Sequence, residues 1–113
     1  MIGLPSTVRI YLSSAPADMR RGFDGLAAMV REYLGEDPLS GHLFVFRNKR
    51  ADRIKILYWD RSGFALWYKR LEQGTFRFPP SDSGKVQVES GQLTLLLEGI
   101  ELASARQHKR FRR

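Results

Sequence analysis

The sequence predicts an α+β fold, in which a mostly antiparallel sheet of four or five strands is covered on its more apolar face by two helices. The first observation behind this prediction is the run 41–79, where three segments rich in aromatic and β-branched residues are separated by short polar turns. The second is a pair of flanking segments whose apolar residues recur at helical spacing. A chain of 113 residues can bury a core without disulfides, and we expect one domain over residues 1–105.

A short strand over residues 8–12 comes first in the predicted order of elements, and a helix follows it. Asp18 is expected to cap that helix, because apolar residues recur every three or four positions from 19 to 34. Gly35 should end it, since glycine readily adopts the left-handed conformation after a last helical turn. Gly22 and Gly25 lie inside the predicted helix, which indicates either a close approach of helix to sheet or a frayed first turn.

The sheet takes most of its strands from the middle of the chain. The predicted strands span residues 42–47, 53–59, 64–70 and 75–78, and a last short strand spans 86–88. Ser90 is the expected N-cap of the second helix, and Gly99 is its expected end. The apolar face of that helix consists of Leu93, Leu96, Leu97 and Ile100.

Loop lengths predict which strand residues share a face. The four-residue turn 60–63 pairs Trp59 with Phe64, and a five-residue turn 48–52 pairs even-numbered residues with even-numbered ones. This pairing assigns one face to Phe44, Phe46, Ile54, Ile56, Tyr58, Trp67 and Lys69. The opposite face receives Leu43, Val45, Leu57, Trp59, Phe64, Leu66 and Tyr68, together with Arg47, Arg53, Lys55 and Arg70.

The charge of the chain is strongly positive, because 19 basic residues against 12 acidic ones give a net charge of +7. Arg outnumbers Lys, and a planar guanidinium is well suited to phosphate oxygens. Seven cations gather near the turn 48–52, namely Arg47, Lys49, Arg50, Arg53, Lys55, Lys69 and Arg70. They form either a phosphate-binding cluster or a solvated rim. Trp59, Trp67 and Tyr68 are either platforms for stacked bases or, as we favour, parts of the core.

Two further basic segments are candidates for anion binding. Arg20 and Arg21 follow Asp18 at the start of the predicted helix, and a helix N-terminus attracts anions. The alternative there is a salt bridge from Asp18 or Asp24 to one of the two arginines. The tail 106–113 carries five basic residues. We expect the tail to be disordered, and either to contact nucleic acid or to serve only as a solubilising end.

No combination of residues predicts an enzyme. The chain has no cysteine, which excludes a disulfide framework, a thiolate zinc site and a cysteine nucleophile. His42 and His108 lack a companion at metal-ligand spacing, and Asp24, Asp60 and Glu98 make only a weak carboxylate triple. We therefore expect no catalytic residue, no metal site and no cofactor. No apolar run reaches the length of a membrane span, so the expectation is a cytoplasmic protein without a membrane partner, associated with the nucleoid if it binds DNA.

Several blocks of the sequence, in order, resemble one family. The segment 18–26, D-M-R-R-G-F-D-G-L, is similar to the hallmark block of the TnpB accessory proteins of IS66-type insertion sequences, also called their second-reading-frame proteins. The blocks 41–46 and 52–60 continue the resemblance, which covers residues 1–102, and Phe78 departs from it where a Trp is expected. The resemblance implies a small accessory factor encoded beside a separate, larger transposase that cuts and joins the strands. It brings no catalytic residues with it.

Together these observations predict a non-enzymatic accessory protein of DNA transposition that binds DNA through the basic end of its sheet. The residues expected to contact phosphates are Arg20, Arg21, Arg47, Lys49, Arg50, Arg53, Lys55 and Arg70. The alternative is an adaptor without direct DNA contact, which binds the transposase or a second copy of itself through the face carrying Trp59, Phe64 and Tyr68. The sequence leaves the oligomeric state open.

Overall fold

A five-stranded sheet forms the centre of this computed structural model, which describes residues 7–101 and 106–107. The strands are β1 (Ile10–Ser13), β2 (Leu43–Arg47), β3 (Arg53–Asp60), β4 (Gly63–Arg70) and β5 (Lys85–Val88). The helices are α1 (Phe23–Met29), which continues as a π-helical turn (Val30–Leu34), and α2 (Ser90–Leu97). The strands lie in the order β4-β3-β2-β1-β5. The predicted α+β class is confirmed.

The sheet is mixed but mostly antiparallel, as predicted. β1 and β2 run parallel, and the other three pairs of neighbours run antiparallel. α1 lies between β1 and β2 in the chain, and parallel neighbours need such a crossover because a tight turn cannot join them.

The two helices pack on opposite faces of the sheet. The α1 side of the core consists of Tyr11, Ala17, Leu26, Ala27, Met29, Val30, Leu34, Phe44, Phe46 and Leu57. The α2 side consists of Ile10, Leu12, Leu43, Val45, Ile54, Ile56, Phe76, Val88, Leu93, Leu96 and Leu97. The prediction that both helices cover one face is wrong, because successive strand residues are apolar on both faces and each face needs its own cover.

The predicted register is correct in one hairpin and wrong in the other. Trp59 pairs with Phe64, as expected. In the first hairpin, Arg47 pairs with Ile54, so the turn is one residue longer than predicted and even-numbered residues pair with odd-numbered ones. A slip of one residue exchanges the faces of a strand. Phe44 therefore shares a face with Leu57, and Val45 shares the opposite face with Ile56.

The first helix begins later than predicted. Its N-cap is Gly22, whereas Asp18 shapes a turn in which its Oδ1 accepts the amide of Arg20 at 2.9 Å. The predicted end is confirmed, because Gly35 caps the π-helical turn with a left-handed φ of 64°. A Cβ on Gly25 would lie 3.2 Å from the side chain of Arg21, so this glycine makes room for an arginine and not for the sheet.

One predicted strand is absent from the sheet, and the boundaries of other elements lie one or two residues from their predicted positions. The predicted strand 75–78 is wrong: the segment has no regular secondary structure and lies outside the sheet, and the amide of Phe76 donates to the carbonyl of Ala51 at 2.6 Å. The last short strand is confirmed as β5, and the first strand lies one or two residues later than expected. The N-cap of α2 is Glu89, which forms a capping box with Gln92, and Ser90 is the first helical residue.

The first two residues of the predicted tail belong to a small separate sheet. Here β6 (Ile100–Glu101) pairs antiparallel with β7 (Arg106–Gln107). The rest of the predicted tail, 108–113, lies outside the described residues, and its disorder stays a prediction. Within the described ranges, no helix has the length and apolar character needed to cross a bilayer.

Candidate nucleic-acid interface

The cations predicted to form one cluster lie on two faces of the sheet. Arg53 and Arg70 are directly opposite each other on β3 and β4, on the face that α1 covers. Arg47 and Lys69 lie on the face that α2 covers. The alternation of side chains along a strand separates these pairs, so a single ligand surface cannot hold all four.

The turn 48–52 carries two exposed cations, Lys49 and Arg50, at the end of the sheet. Asn48 shapes this turn, because its Oδ1 accepts the amides of Asp52 and Arg53 at 3.1 and 3.0 Å. Its Nδ2 donates to Asp52 Oδ1 at 2.6 Å. That bond, followed by the charges of Arg50 and Arg53, lowers the pKa of Asp52, so this carboxylate stays ionised and is held within the turn.

Lys55 is buried, with only 7% of its surface exposed. Its Nζ donates to the carbonyls of Met19 at 2.6 Å and Arg21 at 2.9 Å. It also lies 4.7 Å from the ring centroid of Tyr68, the residue opposite it on β4. The ammonium group therefore anchors the loop 18–22 to the sheet and does not present its charge to solvent.

The loop 18–22 brings two more arginines to the same face. The guanidinium of Arg20, whose side chain is 92% exposed, forms an ion pair with Asp18 at 2.7 Å. Hydrogen bonds from the side chain and the backbone of Arg20 lower the pKa of Asp18 to about 2. Arg21 Nη1 donates to the carbonyl of Gly25 at 3.3 Å. The salt-bridge alternative is thus observed at Arg20, and both side chains are exposed.

We call the surface formed by Arg20, Arg21, Arg53 and Arg70 around Tyr68 the basic face. Tyr68 is 49% exposed, and its partner Lys55 anchors the loop that carries the first two arginines. Arg53 and Arg70 are like charges directly opposite each other, an arrangement that destabilises a strand pair. The ion pair of Arg70 with Glu72 offsets little of this repulsion, because it is long, at 3.4 Å, and exposed. Two arginines of the basic face, Arg21 and Arg53, thus have no ion pair among the described residues, whereas Arg20 and Arg70 have exposed ion pairs with acidic neighbours.

The other two predicted aromatic platforms, Trp59 and Trp67, are half-buried and pack against neighbouring side chains. Trp59 meets Phe64 edge to face with 5.1 Å between ring centroids, and Phe64 packs against the α1 side of the core. Trp67 packs against the α2 side. Of the aromatic residues considered as platforms, Tyr68 has the exposed ring.

The two cations on the α2 side are held by carbonyl groups. Arg47 donates to the carbonyls of Ser14 at 3.1 Å and Asn48 at 3.2 Å. Lys69 Nζ donates to the carbonyl of Leu97 at 3.0 Å, where a cation is favoured by the partial negative charge of a helix C-terminus. These residues stabilise local structure and lie away from the basic face.

The family model described as "IS66 Orf2 like protein", TnpB_IS66, matches residues 8–107. The chain belongs to this family. It is therefore an insertion-sequence accessory protein, and the family match extends five residues beyond the resemblance recognised in the sequence. The chain is 44% identical over 101 residues to the "Uncharacterized protein y4jC" of Sinorhizobium fredii, which covers 89% of this chain and 86% of that protein.

A second relative from Sinorhizobium fredii, the "Uncharacterized protein y4hO", is 40% identical over 100 residues, which is 87% of each chain. No solved structure matches the chain significantly. In this IS66 Orf2-like protein, the D-M-R-R-G segment of the family's hallmark block is the loop that Lys55 anchors. Within the described residues, no group of three or more His, Asp or Glu side chains is arranged to hold a metal ion.

The role of Lys55 was missed in the sequence, where it was grouped with the phosphate-binding cations. A signal for it is present, because Lys55 lies between the apolar Ile54 and Ile56 in the middle of a strand. That pattern places Lys55 on the face opposite to both isoleucines. Only the fold shows that the loop 18–22 covers that position. Ser14 and Arg77, which line a cleft described below, were not singled out either.

Proposed function

We propose that this accessory protein of transposition binds DNA through the basic face and the turn 48–52. The observation that carries the proposal is the anchoring of the loop 18–22 by Lys55. Arg53 lies two residues from Lys55 on the same face of β3, a separation of about 7 Å. The loop that carries Arg20 and Arg21 therefore lies on the same face of the sheet as Arg53 and Arg70, although about thirty residues or more separate the two pairs in the chain.

Phosphates are the groups that this surface suits best. Cations that neutralise phosphates release condensed counterions, which makes binding favourable and strongly dependent on salt. Lys49 and Arg50 extend the positive surface beyond Arg53 at the end of the sheet. Lys55 acts in this proposal as a positioning residue, and Arg47, which is held on the α2 side, is not part of the surface. Phosphate contacts carry little base information, so we expect weak sequence preference and association with the nucleoid.

The test is a titration of the full chain onto element-end duplex DNA and onto an unrelated duplex at several salt concentrations. We expect the logarithm of the binding constant to fall linearly with the logarithm of the salt concentration on both duplexes. Lys49→Gln and Arg70→Gln should each reduce the magnitude of that slope by about 0.9.

A matched control is Arg31→Gln, which removes the same charge as Arg70→Gln. Arg31 is exposed on the π-helical turn, outside the basic face, and its loss should leave the slope unchanged. No binding to either duplex at low salt would contradict the proposal. An equal effect of Arg31→Gln and Arg70→Gln would contradict the assignment of the surface.

A second candidate function is a protein–protein adaptor for the element's transposase, and the edge strand β4 favours it. The amide of Leu71 donates to the carbonyl of Asp52 at 2.8 Å, so the odd-numbered residues of β4 are those whose backbone bonds to β3. The backbone groups of the even-numbered residues, such as Leu66 and Tyr68, point away from β3. No partner for them is found in the described part of the chain, and an open strand edge can accept another strand.

Co-expression with the element's transposase distinguishes the two functions. An adaptor should co-purify with the transposase at high salt, where phosphate contacts are screened, and should show no salt-dependent affinity for free DNA. The DNA-binding proposal expects the opposite pattern, with retention on DNA at low salt and release as salt rises.

A further inference from the structure

A cleft of about 510 Å³ lies beside the turn 48–52, next to the irregular segment 75–81. Among the residues that line it are Ser14, Arg47, Arg50, Arg77 and Phe78. Arg47 and Phe78 belong to the α2 side of the sheet, so the cleft opens on the side away from the basic face. Its volume is in the range of small-molecule sites, which is about 300–1,000 Å³.

One wall of the cleft is an arginine whose position is fixed. The guanidinium of Arg47 donates from Nη2 to the carbonyl of Ser14 and from Nη1 to the carbonyl of Asn48. It also lies 5.7 Å from the ring centroid of Phe78. A guanidinium has five N–H donors, so two of them position the group and the others remain available to a ligand.

Positive charge in the cleft is not compensated by its own lining. Arg50 and Arg77 join Arg47 there, and no acidic residue is found among the described lining residues. None of the three arginines takes part in an ion pair within the described ranges. Like charges held around one concave surface repel each other, and an anion bound between them would relieve that repulsion.

The side chain of Ser14 is a second, independent feature of the cleft. Ser14 lines the cleft, and its Oγ is buried without a hydrogen-bond partner in the described structure. A buried hydroxyl without a partner is unfavourable by about 1–3 kcal/mol. Because the Oγ is shielded from solvent, a ligand oxygen in the cleft reaches it only when the Ser14 side chain rotates toward the cleft, and that hydrogen bond would remove the penalty.

We propose that this cleft binds a phosphate group carried on a larger molecule. A phosphomonoester has a charge of about −1.5 to −2 at neutral pH and three strong acceptor oxygens, which matches three guanidiniums better than the single charge of a carboxylate does. The cleft volume leaves space for the group that carries the phosphate. Two sources share this chemistry: a free phosphomonoester such as a mononucleotide, and the phosphorylated end of a nucleic-acid strand. The proposal does not depend on DNA binding by the basic face.

The test follows the backbone amides of residues 75–78 and 81 and the arginine Nε–Hε signals by NMR in the isotopically labelled full chain. The chain is titrated at constant ionic strength with a nucleoside 5′-monophosphate, with the same nucleoside, and with acetate. We expect saturable shifts at the cleft with the monophosphate and none with the nucleoside. Arg77→Gln should weaken the monophosphate about tenfold, the effect of losing one charge-assisted hydrogen bond, and Ser14→Ala should weaken it several-fold.

Arg31→Gln is again the charge-matched control and should leave the affinity unchanged, because Arg31 does not line the cleft. Arg77 is exposed, so its replacement should not disturb the fold, and unchanged urea unfolding would verify this. Absence of saturable shifts, equal binding of acetate, or unaltered affinity in Arg77→Gln would each overturn the proposal.

The two sources are separated by a short single strand with and without a 5′-phosphate, tested in a Lys49→Gln/Arg70→Gln background that weakens DNA contact by the turn 48–52 and the basic face. If the phosphorylated strand binds more tightly than the mononucleotide, the ligand of the cleft is a strand end. If the mononucleotide binds more tightly, the ligand is a free phosphomonoester. Monophosphate binding without affinity for duplex DNA would support the cleft while contradicting the proposed function.

Discussion

Lys55 is the residue on which the two parts of the basic face depend. A cation that is 7% exposed is stable in the interior only when its donors are satisfied. Two loop carbonyls and the ring of Tyr68 satisfy them here. The same ammonium group that a sequence pattern assigns to a phosphate is therefore bound to the protein's own backbone.

Lys55→Met should loosen the loop 18–22, because the carbonyls of Met19 and Arg21 lose their donor. We expect the free energy of unfolding to fall by about 2 kcal/mol, and the amides of the loop to exchange faster with solvent. The salt slope of DNA binding should also decrease, since Arg20 and Arg21 are no longer held beside Arg53. Urea unfolding and hydrogen exchange measure the first two effects.

The control for this variant is Tyr68→Phe, which keeps the ring beside the ammonium group and should change stability by less than about 0.5 kcal/mol. Unchanged exchange protection of the loop in Lys55→Met would show that Lys55 does not anchor it.

The carboxyl group of Asp18 reports on the conformation of the same loop. Its pKa is lowered to about 2 by hydrogen bonds from Arg20. A lowered pKa means that the contribution of these bonds is complete above the ordinary pKa of 3.8 and is lost as the pH falls toward 2. Arg20→Gln should raise the pKa of Asp18 toward its ordinary value, as measured by a carbon-13 NMR titration of the carboxyl group. Titration curves that coincide in the two proteins would contradict the ion pair.

At the scale of elements, the hairpin between β2 and β3 decides which cations share a face. Its turn is shaped by the side chain of Asn48, which bonds to two amides and to the carboxylate of Asp52. Ala51 adopts a left-handed φ of 58° within it. These local features set a pairing of Arg47 with Ile54, one residue away from the simplest loop count.

Asn48→Ala should destabilise this hairpin, because three hydrogen bonds lose their side-chain partner. We expect the free energy of unfolding to fall by about 1–3 kcal/mol, with faster amide exchange at Asp52 and Arg53. Lys49→Ala is the control in the same turn, since Lys49 is exposed and its replacement should stay within about 0.5 kcal/mol of wild type. Equal destabilisation by the two variants would argue against the role given to Asn48.

At the scale of the whole molecule, the chain forms three layers, with one helix on each side of the sheet. The basic face lies on the α1 side and the arginine-lined cleft on the α2 side of the same sheet end. Two anionic groups can therefore approach the molecule from opposite sides without competing for the same arginines, apart from Arg50 in the turn between them.

The layered arrangement predicts that substitutions of buried residues in the two helices have independent effects on the free energy of unfolding. Val30, in the π-helical turn, is fully buried, and Leu93, in α2, is 2% exposed. We expect Val30→Ala and Leu93→Ala to lower the free energy of unfolding by about 2 and 2–4 kcal/mol. Their effects should add within about 0.5 kcal/mol in the double variant, as measured by urea unfolding. A larger coupling energy would mean that the two residues share one core, as they would if both helices covered one face.

Much of the fold could be predicted from local patterns. Runs of aromatic and β-branched residues between short polar turns predicted the strands β2, β3 and β4. Helical spacing and Gly35 predicted the end of the first helical segment, and the short turn after Trp59 predicted the pairing of Trp59 with Phe64. The hallmark block gave the family. The start of the first helix was missed because Asp18 caps an isolated turn as well as it caps a helix.

By itself, the sequence determined the α+β class, most strands, the family and the excess of positive charge, because these depend on composition and on spacing within short segments. Only the tertiary structure decided the faces of the two helices, the burial of Lys55 and the separation of Arg47 from Arg53. The physical reason is that both faces of the central strands are apolar, so periodicity cannot choose between them. The contact of Lys55 with the loop 18–22 joins segments more than thirty residues apart, and such contacts form only when the chain packs.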